Sequence, residues 1–122
     1  MYRKKAKEDI KVYKVLRKVF DPRTCNDDLY SPYMGLVEWR LGVTYNEKKR
    51  GLIYGNKVGS GYLHSYKTKE TALCSCNLIT TVVFEATIPK GTYYYEGTHT
   101  QAQDCFGYAS KSLRIDKEIT LQ

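Results

Sequence analysis

A chain of 122 residues, 42% hydrophobic and 27% charged, has the length and composition of one domain that buries its own core, which argues against wholesale disorder. No apolar run approaches the ~18 residues of a membrane-crossing helix, and the basic N-terminal stretch lacks the apolar segment of a secretory signal, so a cytoplasmic protein is expected. The net charge of +7 is uneven: residues 1 to 24 hold nine Lys/Arg against three acids, leaving the rest nearly neutral.

That first stretch reads as a basic N-terminal arm over residues 1–9, followed by a single domain over 10–122. Arg3, Lys4, Lys5, Lys7, Lys11 and Lys14 form its cationic set. Such a set attracts phosphate backbones, acidic proteins or anionic lipid, and it equally serves as a solubilising tail. Ile10 to Phe20 fits both periods. At 3.6 residues, Val12, Val15, Leu16 and Val19 make a stripe; at 2, Lys11, Tyr13, Val15, Arg17 and Val19 share a face. Its β-branched and aromatic content favours a strand. Asp21-Pro22 ends it, and Arg23 to Met34 reads as a loop.

Leu36 to Tyr45 alternates, with Val37, Trp39, Leu41 and Val43 apolar, and is expected to be a half-buried strand with Trp39 in the core. A charged turn at 46–50 leads into a short strand at Leu52-Ile53-Tyr54. The next stretch, GNKVGSG over residues 55–61, places glycines where backbone N–H groups gather an anion, with Lys57, Gly59 and Gly61 as ligand candidates. The recognised phosphate-loop spacings are absent, and a hairpin connection explains the glycines equally well. Tyr62 to Tyr66 reads as a strand carrying His64, a candidate base or hydrogen-bonding anchor. Thr68 reads as an N-cap and Glu70 as a first-turn acid for a short helix over about 69–76.

Thr80 to Ile88 is the clearest strand, with Val82, Phe84, Ala86 and Ile88 inward. Pro89-Lys90-Gly91 is a tight turn. Thr92 to Glu96 follows as a tyrosine-rich strand whose alternation sends Tyr93 and Tyr95 to one side, and Glu96 is a candidate catalytic carboxylate. Gly97 to Gly107 reads as a polar loop, and Leu113 to Ile119 closes the sheet. The expected fold is α+β: a mostly antiparallel, strongly twisted sheet with one short helix. The four cysteines include Cys74 and Cys76 but no paired C-x-x-C knuckles, so free thiols and no metal or other cofactor are expected.

Ser31-Pro32-Tyr33, EWRLGVTY over residues 38–45, Gly61-Tyr62-Leu63-His64, Ile88-Pro89-Lys90-Gly91, Tyr93-Tyr94-Tyr95-Glu96-Gly97 and Tyr108-Ala109-Ser110 carry a resemblance. Over residues 10 to 116 the chain resembles small uncharacterised proteins of bacteriophages and mobile elements of Bacteroidales-type hosts. That resemblance implies a compact accessory protein and transfers no functional residue. A fainter one is to the ADP-ribosyltransferase-like group, in which an early tyrosine strand, a glycine-flanked segment and a later glutamate line an NAD cleft. It would make Glu96 the catalytic carboxylate, although no R-S-E or H-Y-E set is present. The leading functional expectation is a non-catalytic protein that binds a host or phage protein, in counter-defence for example. The alternatives are a nucleic-acid-binding accessory protein and an NAD- or nucleotide-handling enzyme. Twelve tyrosines suit a binding surface as well as an ordinary sheet.

Overall fold

A computed structural model describes residues 3–30, 38–47, 53–54, 57–58, 62–75, 81–99 and 106–119. In chain order the strands are β1 (Lys4–Lys5), β2 (Ile10–Asp21), β3 (Asn26–Tyr30), β4 (Glu38–Trp39), β5 (Thr44–Asn46), β6 (Ile53–Tyr54), β7 (Lys57–Val58) and β8 (Leu63–Tyr66). The helix α1 (Lys69–Ser75) follows, then β9 (Thr81–Ile88), β10 (Tyr93–His99), β11 (Phe106–Ser110) and β12 (Ser112–Glu118). All twelve strands belong to one mostly antiparallel sheet, in the order β5-β12-β9-β2-β8-β11-β10-β7-β6; β1 pairs with β10, β3 with β2, and β4 with β3. The β7–β10 pairing is parallel. With one seven-residue helix among the described residues, the molecule is richer in strand than the expected α+β label conveys.

Because directly paired residues share a face, the register sorts side chains into two sets. One set, here the inner face, holds Val12, Leu16, Leu29, Trp39, Phe84, Ala86, Ile88, Tyr108, Leu113 and Ile115 in a single buried cluster. These residues come from β2, β3, β4, β9, β11 and β12, and among the described residues no second sheet or helix covers them, so the sheet must curl around its own core. Trp39 meets Tyr45 edge-on at 4.8 Å, joining the β3–β4 flap to the β5 edge. On the outer face, α1 covers a smaller cluster of Val15, Tyr66, Ala72 and Val83. Burial on both faces explains why Ile10–Asp21 lacks clean alternation: its centre is buried in both directions, and strand wins over helix through pairing with β9 over residues 10–17 and with β3 over residues 17–21.

Local chemistry fixes the element ends. Thr68 Oγ1 accepts the Thr71 N–H at 3.1 Å, the expected N-cap. At the β9–β10 turn the Thr92 N–H reaches the Pro89 carbonyl at 3.1 Å, and Gly91 takes φ +88°, where a side chain would be strained.

Several expectations need correction. Leu36 to Tyr45 is not one strand: β4 ends at Trp39, Leu41 makes a parallel bridge to Ile115, Gly42 sits at φ +76°, and β5 begins at Thr44. This segment crosses from the β3 flap to the β12 edge, so Leu41 and Val43 are 53% and 44% exposed despite their apolar pattern. Inside the stretch read as a loop, Asn26–Tyr30 forms a hairpin strand with the far end of β2. The polar segment after Glu96 also contains strand, since β10 continues to His99 and β11 begins at Phe106. Nor are residues 4 to 6 a detached tail. Lys4 and Lys5 pair with Tyr94 and Tyr93, and Ala6 is buried. Among the described residues, no helix is long and apolar enough to cross a membrane.

Candidate binding face on the outer sheet

The register assembles the site. Tyr95 pairs with Ala109, and Ala109 with His64, so these three lie on the outer face. Tyr93 lies two residues from Tyr95 on the same face, paired with Lys5. Arg3 comes from the segment just before β1, and Lys111 from the turn after β11, where its N–H donates to the Tyr93 carbonyl at 3.2 Å. The Arg3 guanidinium lies 4.4 Å from the Tyr93 ring centroid and Lys5 Nζ 5.8 Å, while Lys111 Nζ stands 4.5 Å from the ring of Tyr62. Tyr62 in turn meets Tyr95 edge-to-face at 5.5 Å. Burial, together with that neighbouring tyrosine, raises the Tyr62 phenol above its ordinary pKa and keeps it protonated.

Aromatic rings and cations therefore alternate across β1, β10, β11 and β8. Of the outward-pointing residues in these four strands, none among those described is acidic. Tyr93 is 44% exposed. Cations over ring faces add attraction without neutralising the patch, because a ring quadrupole carries no net charge. The result is a positively charged surface with accessible aromatic area.

Glu96 belongs to the opposite face. It pairs with Tyr108, whose neighbour across the sheet is Ser65, whereas His64 is on the outer side. Sheet register thus sends the two candidate catalytic residues to opposite sides, where they cannot share one cleft. The Glu96 carboxylate instead accepts Lys67 at 3.0 Å and Lys4 at 3.5 Å. The Lys67 hydrogen bond holds its pKa below the usual glutamate value, which unsuits it as a proton donor near neutrality. Tyr94 and Tyr108 stand edge-on at 5.5 Å on the same inner side.

The remaining candidates are dispersed. Lys57 lies in β7 beside Thr98 of β10, while Gly59 and Gly61 fall outside the described residues. Lys11 is exposed and ion-paired with Glu85 at 3.4 Å. Lys7 lines an open groove with Lys4, Lys5, Lys11, Glu8 and Asp9. Lys14 leaves the cationic set: it is buried on the inner face, donates to the His64 carbonyl at 2.5 Å and lies 5.3 Å from the Trp39 ring. Tyr62 and Lys111 do not stand out from sequence. The alternation Tyr62, His64 is the available signal for the first, whereas Lys111 joins only through pairing between distant strands.

Among the described residues, no group of three or more His, Cys, Asp or Glu is arranged to hold a metal ion. No protein-family model, curated protein or solved structure matches the chain, so its chemistry has to be read from these residues themselves.

Proposed function

We propose that the protein is a non-catalytic binding module whose outer face, built from Arg3, Lys5, Lys111, Tyr62, Tyr93 and Tyr95, holds nucleic acid. One observation carries this reading: three cations stand beside tyrosine rings on the part of the outer face formed by β1, β10, β11 and β8, where the described outward-pointing strand residues include no acid. Phosphates answer the cations and bases answer the rings. The phage or mobile-element resemblance is compatible with such an accessory role. A protein partner is the second reading, favoured by Phe20 and Val19, which are 61% and 42% exposed on β2 near its hairpin with β3.

Fluorescence anisotropy with labelled oligonucleotides tests the first reading. Three phosphate contacts predict that log K falls against log salt with a slope of about −2 to −3, and that Arg3→Ala with Lys5→Ala reduces that slope by about 1 to 2. Absence of salt-dependent binding to any oligonucleotide would remove this reading and leave the hairpin surface as the better candidate.

A further inference from the structure

Resting on that reading, we infer that the ligand is a single strand whose neighbouring bases are splayed over Tyr93 and the Tyr62–Tyr95 pair. The argument is one of spacing. Tyr93 and Tyr95 project from the same side of β10 two residues apart, about 6.8 Å at the rise of an antiparallel strand. Stacked bases in a duplex strand are separated by only about 3.4 Å. Two neighbouring bases reach both tyrosines only after they have unstacked from each other, which an intact duplex does not allow. In the other direction, Tyr62 stands on the far side of Lys111 from Tyr93, since Lys111 follows the Ser110–Leu63 pair and bonds the Tyr93 backbone. The row Lys5, Tyr93, Lys111, Tyr62 thus alternates cation and ring across the sheet, with Arg3 and Tyr95 in the row beside it.

That lattice offers a splayed strand a ring for each base and an ammonium or guanidinium between them for each phosphate. Arg3 and Lys111 rest on ring faces. Both are long, flexible side chains, and moving from ring to phosphate exchanges a cation–π contact for a charge-assisted hydrogen bond, the stronger of the two. Base stacking on tyrosine is tolerant of base identity, so the site reads strandedness and not sequence.

The experiment compares a single-stranded oligonucleotide of about a dozen nucleotides with the duplex of the same sequence, at one salt concentration. The expected result is at least about tenfold tighter binding of the single strand. Tyr93→Ala should weaken single-strand binding about tenfold while Tyr93→Phe retains it, because stacking needs the ring and not the hydroxyl. Tyr93 is exposed enough that neither change should perturb the fold, which far-UV circular dichroism checks. Equal affinity for duplex and single strand, or an unchanged Tyr93→Ala variant alongside a weakened Arg3→Ala, Lys5→Ala variant, overturns the inference but leaves the nucleic-acid reading standing. Failure to bind either form removes both.

Discussion

Lys14 occupies an inner-face position that the surrounding chain fills with Val12 and Leu16. Its ammonium has the His64 carbonyl as acceptor and the Trp39 ring nearby, which offsets only part of the cost of leaving water. Burial therefore lowers its pKa from 10.5 to about 8. Between those values the unfolded chain holds a proton that the folded chain has released, so stability rises with pH across that window. It is greatest above the unfolded value and is lost as pH falls through the folded one. At ~1.4 kcal/mol per pH unit, charged Lys14 costs the fold about 3 kcal/mol below pH 8. Urea unfolding of wild type and Lys14→Met at pH 7 and pH 10 should give curves whose difference shrinks by roughly 2 kcal/mol at the higher pH. Equal differences at both pH values would mean that Lys14 does not titrate inside the fold.

At the scale of elements, β1 shows how a two-residue strand is held. Its neighbour Ala6 exchanges backbone hydrogen bonds with the β9–β10 turn, at 2.9 Å to Thr92 and 2.8 Å from Gly91, and the Asp9 carboxylate accepts the Lys90 N–H at 2.8 Å. Glu96 adds a side-chain clip by taking Lys4 with one oxygen and Lys67 with the other. Because pairing depresses the Glu96 pKa, its contribution is present above the ordinary glutamate value and is lost as pH falls through the lowered one. Glu96→Gln should speed amide exchange at Ala6 and Gly91 by about two- to fivefold, the worth of one or two exposed ion pairs, with little change in the β2–β9 core. Unchanged exchange at those amides would show that the backbone bonds alone hold β1.

What the sequence discloses at this scale is local. The inward set Phe84, Ala86 and Ile88, the Thr68 cap and the Gly91 turn depend on neighbours a few residues away, and each is legible. Asn26–Tyr30 is not, because NDDLY becomes a strand only when the end of β2 supplies its hydrogen-bond partners. Lys14 escapes for a related reason, since a lysine in an ambiguous period is assigned to water unless the register is known. The candidate face is half legible. Alternation puts Tyr93 and Tyr95 together and implies that Glu96 points away, but Arg3, Lys111 and Tyr62 arrive from distant parts of the chain.

Taken as a whole, the molecule gathers cations on the side where β1 meets β10, with Arg3, Lys5, Lys7 and Lys111 there and Glu8 and Asp9 beside Lys5 and Lys7. Several cations elsewhere are neutralised in pairs, as with Lys18 between Asp27 and Glu118, Lys117 with Glu85, and Arg114 with Asp116. Added salt screens repulsion within the basic edge and attraction within the pairs, and these act on stability with opposite signs. Exposed pairs contribute little individually, whereas the net positive excess is collective, so relief of repulsion should dominate. The melting temperature is thus expected to rise by a few degrees, on the order of 1 kcal/mol, between about 50 and 200 mM sodium chloride. Over the same range, oligonucleotide affinity should fall. Opposite responses to one salt series would separate the electrostatics of the face from those of the fold. A melting temperature that falls in parallel with affinity would instead show that the ion pairs outweigh the repulsion, leaving the basic edge energetically silent in the folded state.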